Sequence, residues 1–186
     1  MSWHPYSFPG PKRLARQRGF TLVELIVVIL IVGVIAAMAA VRLSRARVAG
    51  NEASAIGSLR AINGAQSTYA SSCGAAGDAQ SLDDLAKPPS GSSRAFISPD
   101  LGFNGVLKSG YVVTVEADAD ATVDTPVARV CNAPAEPAVS SYFAAARPAS
   151  SSTGHRSFAT DRRSAMFVRD DGTAIAPGMS GAVPLQ

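Results

Sequence analysis

The 186-residue chain has little of the side-chain chemistry that enzymes use. Its two histidines, His4 and His155, stand far apart, and no CxxC, HExxH or phosphate-loop pattern occurs. No nucleophile motif stands out either, so no active site and no cofactor are expected. Charge is absent from Leu25 to Val41, and Glu24 is the sole charged side chain between Phe20 and Val41. Proline is absent from Phe20 through Lys87, so nothing in that stretch must break a helix. Aromatics are sparse after Phe20 in the same stretch, which gives no support for a stacked conducting path.

The charge that is present is unevenly placed. Four of the 17 basic residues, Lys12, Arg13, Arg16 and Arg18, precede the apolar run with no acid among them. From Phe20 onward 13 basic residues face 14 acidic ones, so the formal net charge of +3 says little about a nucleic-acid partner. Both cysteines, Cys73 and Cys131, lie beyond the apolar run. An even count in an exported region suggests a disulfide between them.

The run from Phe20 to Val41 is long enough for one membrane-crossing helix. The basic residues before it place its start on the cytoplasmic side and the rest of the chain outside. Two plain readings fit: a secretory signal cut after Ala37-Met38-Ala39, or a permanent single-pass anchor. Neither gives Glu24 a role, although a carboxylate in hydrocarbon costs roughly 3 kcal/mol on insertion scales.

The stretch Gly19-Phe20-Thr21-Leu22-Val23-Glu24, with its basic leader and the apolar helix after it, resembles the class III signal of type IV pilins and pseudopilins. The resemblance implies that a membrane prepilin peptidase cuts between Gly19 and Phe20 and methylates the Phe20 amine. It also gives Glu24 a function. In a filament its carboxylate would pair with the Phe20 amine of a neighbouring subunit, which offsets two costly charges and fixes axial register. Gly33 and Ala37, with Ala36, Ala39 and Ala40 nearby, form a small-residue face suited to close helix packing between subunits. Many pilins carry a proline just after such residues; here Val41-Arg42 stands in its place, so a proline-linked melted segment is not implied.

On this reading residues 1–19 are a leader, 20–43 a transmembrane and filament-core helix, 44–73 the second half of that helix, and 74–186 a globular head. The implied partners are other pilin subunits, the prepilin peptidase, the inner-membrane assembly machinery and the membrane, with no nucleic acid. The implied location is the inner membrane, N-terminus cytoplasmic, and then a surface pilus or periplasmic pseudopilus. A type II secretion pseudopilin is the alternative, and a membrane-anchored binding protein that never polymerises is the rival of another class.

Past Arg42 the pattern becomes amphipathic, with Ile56, Leu59, Ile62 and Tyr69 at helical spacing and an end near Ser71–Gly74. Gly50, Gly57 and Gly64 recur every seven residues, either as a groove for a sheet or helix or as marks of a weak helix. Ser81 is placed to cap a short helix with Leu82 and Leu85 inward, ended by Pro88-Pro89. Strands are expected at 110–117, 140–147, 156–160 and 165–169, the last two joined by a hairpin. The fold class expected is α+β, a long helix packed by its second half on a small antiparallel sheet, similar to a pilin head. LKSGY and GHRSFATD also resemble the heads of shorter, pseudopilin-G-like proteins. Cys131 falls in the proline-broken loop VCNAPAEP.

Four surface features complete the reading. Asp170-Asp171-Gly172 reads as a turn, and the two aspartates are the calcium candidates because some pseudopilin heads bind calcium near their C-termini. The acidic spacing of an EF-hand is absent. Arg156, Arg162, Arg163 and Arg169, interleaved with acids, read as a solvated mixed-charge face rather than a phosphate-binding one. Ser150–Thr153 reads as a polar loop or a glycosylation site, and His155 as an exposed residue at a strand start.

Overall fold

The computed structural model describes residues 19–185, with the side chains of 39–41 excepted. The basic leader residues Lys12, Arg13, Arg16 and Arg18, with His4, lie outside the described residues, as do the side chains of Ala39 and Ala40. The chain divides into two units, Met1–Val41 and Arg42–Gln186. Helix α1 runs from Leu22 to Ser72 through both, and each unit is described by itself.

In the first unit the α1 side chains from Leu22 to Met38 are exposed, although nearly all are apolar. This is the one helix among the described residues long and apolar enough to cross a membrane, by length and composition.

In the second unit α1 behaves as an ordinary amphipathic helix. Ala55, Leu59, Ile62, Gln66, Tyr69 and Cys73 are buried, alternating steps of four and three that keep one stripe inward. Gln66 is tolerated in this stripe because its amide donates to the Ala79 carbonyl (2.7 Å) and accepts from the Ala79 N–H (2.9 Å). The glycine stripe lies elsewhere. Gly57 is two residues, about 200° of helical turn, from Leu59. A Cβ added at Gly50, Gly57 or Gly64 meets nothing within 4 Å, so among the described residues no sheet packs into a groove there.

The short helix α2 spans Leu82–Leu85, with Ser81 accepting the Asp84 N–H at 3.1 Å and both leucines buried. Eight strands follow: β1 Val106–Lys108, β2 Tyr111–Ala117, β3 Val123–Thr125, β4 Ala138–Val139, β5 Tyr142–Pro148, β6 Ser157–Asp161, β7 Met166–Arg169 and β8 Val183–Pro184. Six form an antiparallel sheet in the order β1-β2-β5-β6-β7-β8, and β3 pairs with β4 separately. The fold is therefore α+β and pilin-like, with the α1 stripe in one core with the sheet.

Pleat alternation sets that core. Tyr111, Val113 and Val115 of β2, Tyr142, Ala144 and Ala146 of β5 and Phe158 of β6 join the α1 stripe. The opposite face buries Phe143 and Ala159 beneath Ile175, Met179 and Ala182 from the C-terminal segment. Arg169 fastens that segment, donating to the Ala174 carbonyl at 2.9 Å and to the Ser180 and Gly181 carbonyls. Cys73, one residue past α1, is joined to Cys131 in a disulfide that ties the 127–134 loop to the helix end.

Candidate processing and assembly site

Residues 19–21 lie outside regular secondary structure, and the helix begins at Leu22. Gly19 and Phe20 are both exposed among the described residues. Among the described residues, a Cβ added at Gly19 meets nothing within 4 Å, so no packing contact there calls for glycine. A requirement for glycine there would belong to the enzyme that cuts the bond.

Thr21 is the residue that the sequence reading missed. Its hydroxyl accepts the Glu24 N–H at 3.2 Å, and its carbonyl accepts the Leu25 N–H at 3.2 Å. Thr21 is thus the N-cap of α1 and Glu24 the third helical residue, the T-x-x-E spacing of a capping box. The signal lies in Thr21-Leu22-Val23-Glu24, where the capping threonine and the carboxylate share one spacing. Among the described residues the Glu24 carboxylate has no ion-pair or hydrogen-bond partner, and it lies in the first helical turn, where the helix N-terminus favours a negative charge. Among the described residues, an exposed Gly19-Phe20 bond, a capped helix start and a carboxylate with no partner one helical turn in are thus brought together. Farther along, Gly33 and Ala37 are exposed and Gly33 has nothing within 4 Å of an added Cβ, so among the described residues nothing packs on this face.

The four arginines of the head do not form one face. Arg156 donates to buried Glu52 through Nε at 2.9 Å, and that bond holds its pKa above the ordinary value. Arg162 meets Asp78 at 3.2 Å and the Ser140 and Ala76 carbonyls. Arg163 pairs with Asp161, and Arg169 is occupied by the C-terminal segment. Asp171 Oδ1 accepts from the Thr173 N–H (2.9 Å) and hydroxyl (2.7 Å), which lowers its pKa and closes a turn. No group of three or more His, Cys, Asp or Glu side chains that could hold a metal ion occurs among the described residues. His155 is exposed beside Arg156, and Ser150 and Thr153 close their own loop, with Ser150 N donating to Thr153 Oγ1 at 3.2 Å.

Residues 14–40 match the family model described as the prokaryotic N-terminal methylation motif. The chain therefore carries the class III prepilin signal shared by type IV pilins and pseudopilins. That motif implies processing by prepilin peptidase and assembly into a membrane-associated filament, and it supports a type IV pilin-like or pseudopilin subunit. No curated protein and no solved structure matches the chain.

Proposed function

We propose that this chain is the structural subunit of a type IV pilus-like filament. Prepilin peptidase cuts between Gly19 and Phe20 and methylates the new amine. The subunit then waits in the inner membrane, residues 20–43 across the bilayer and the head outside the cytoplasm. Assembly packs these helices together through the face that holds Gly33 and Ala37, and Glu24 of one subunit pairs with the Phe20 amine of another. Methylation keeps that amine charged, so the pairing survives it.

The observation that carries this reading is the unpaired Glu24 carboxylate directly after an exposed, non-helical Gly19-Phe20 bond. A permanent anchor or a secretory signal would gain nothing from that charge. A filament gains register, because a slipped neighbour leaves both charges bare. Electron microscopy of sheared cell-surface fractions from cells making wild-type protein or Glu24→Ala tests it. Filaments are expected from the first and not the second, at equal membrane levels of subunit. Filaments of normal yield from Glu24→Ala would overturn the register mechanism.

A further inference from the structure

We propose that the head, here the whole second unit Arg42–Gln186, is electrically polar along α1 and that a second copy of this chain docks on it head to tail, basic end against acidic end. The inference rests on the filament reading above and adds the contact between heads.

The basic end is the start of the second unit. Arg42, Arg45 and Arg47 are exposed, and none has an ion-pair partner among the described residues. From Arg42 to Arg60 the sole acid is Glu52, which is buried and held by Arg156. Asp170 and Asp171 are the acids near this end; they line a cavity with His155, and Asp170 acts on Arg156.

The acidic end lies at the other end of α1. Glu116, Asp118, Asp120 and Asp124 follow one another with no base until Arg129, and none is ion-paired among the described residues. The Asp124 Cβ lies 3.3 Å from where a Cβ on Gly77 would stand, just past the helix end at Ser72. The neighbouring cations, Arg162 and Arg163, are already committed to Asp78 and Asp161. Val123, exposed within this stretch, adds an apolar contact.

From Arg47 to Ser72 the helix rises about 38 Å, at about 1.5 Å per residue. That exceeds several Debye lengths of about 8 Å at physiological salt, so the two ends cannot neutralise each other within one chain. A symmetric dimer through either end would bring like charges together, which costs several kcal/mol. Head-to-tail docking satisfies both ends, and because such a contact does not close on itself it propagates as a filament.

Charge reversal in the full-length chain tests the contact, with filament yield as the readout. Arg45→Glu with Arg47→Glu, and separately Asp120→Arg with Asp124→Arg, should each lower yield about tenfold or more, equivalent to about 1.4 kcal/mol per contact. Combining all four should restore it to within about threefold. All four positions are exposed, and a retained Cys73–Cys131 bond on a non-reducing gel reports that each head has folded. A chain with Arg45→Cys and Asp120→Cys should cross-link into a ladder on oxidation, and either substitution alone should not. Wild-type filaments with silent reversals and no ladder would overturn the docking and leave the filament reading standing. A defect confined to the arginine pair would assign the basic end to anionic lipid instead, and would also overturn it. Absence of wild-type filaments would overturn both.

Discussion

Replacing Cys73 and Cys131 together with alanine should cost the head about 4 kcal/mol. The two residues are 58 apart in sequence, and closing a loop of that length removes about 14 cal/mol/K from the unfolded chain in the loop-entropy treatment. The native geometry around the bond survives by other contacts. Asn132 donates to the Asp84 carbonyl at 2.7 Å and to the Lys87 carbonyl at 3.1 Å, so the loop keeps its seat without the sulfur link. The loss therefore falls mainly on the unfolded state. For a unit of this size each kcal/mol moves the melting temperature about 2–4 °C, so a drop of about 8–16 °C is expected. Thermal unfolding of the detergent-solubilised full chain, followed by near-ultraviolet circular dichroism, reads it directly. Dithiothreitol should produce the same drop in the wild type and none in the variant. A change under about 3 °C would refute the reasoning, because it would mean that the unfolded chain is already constrained across that loop.

Thr21→Ala should cost about 1 kcal/mol of local helix stability yet leave filaments intact, whereas Glu24→Gln, which keeps the capping-box spacing but not the charge, should abolish them. The opposite ranking in filament yield would make the cap, rather than the charge, the reason for Glu24. Asp78 is buried, and burial pushes its pKa up to about 6, with Asp124 adding to the rise and Arg162 opposing it. The folded chain thus holds that proton more tightly than the unfolded one, so stability from this site is full below about pH 4 and is lost as pH rises to about 6. At about 1.36 kcal/mol per pH unit the site is worth about 3 kcal/mol, and Asp78→Asn should flatten the slope of stability between pH 4 and 6.5. Gly154→Ala would drive its Cβ into the Tyr111 hydroxyl, which donates to the Arg156 carbonyl at 2.9 Å. A loss of about 2 kcal/mol is expected in denaturant titrations, and a neutral result would show that the 150–155 loop yields freely.

The parts of the fold with a strong period were readable from the residues. The α1 stripe, α2 with its Ser81 cap, and β2, β5, β6 and β7 all fall within two residues of the expected bounds. The short edge strands were not foreseen, because two or three residues carry no alternation to count. For β1 a signal did exist: Ser109-Gly110 forms a two-residue turn with positive φ at both positions, 48° and 76°. Glycine suits 110 doubly, since a Cβ there would press to 2.7 Å from Thr153. Of the readings of the α1 glycine stripe, packing by the chain's own sheet is excluded, because the burial phase turns Gly50, Gly57 and Gly64 outward. Which arginines would find buried carboxylates was also beyond the sequence, because Glu52 and Arg156 meet across 104 positions. At the start of α1 the carboxylate of Glu24 stands out in the sequence and the cap does not: Thr21 closes the first turn through its hydroxyl, which the T-x-x-E spacing encodes.

The intact mass and N-terminal residue of the protein from membranes or sheared filaments test the central claim most directly. The account predicts a chain beginning at N-methylated Phe20. A chain beginning at Ala40, released as a soluble domain, or one still beginning at Met1 beside an active prepilin peptidase, would contradict it.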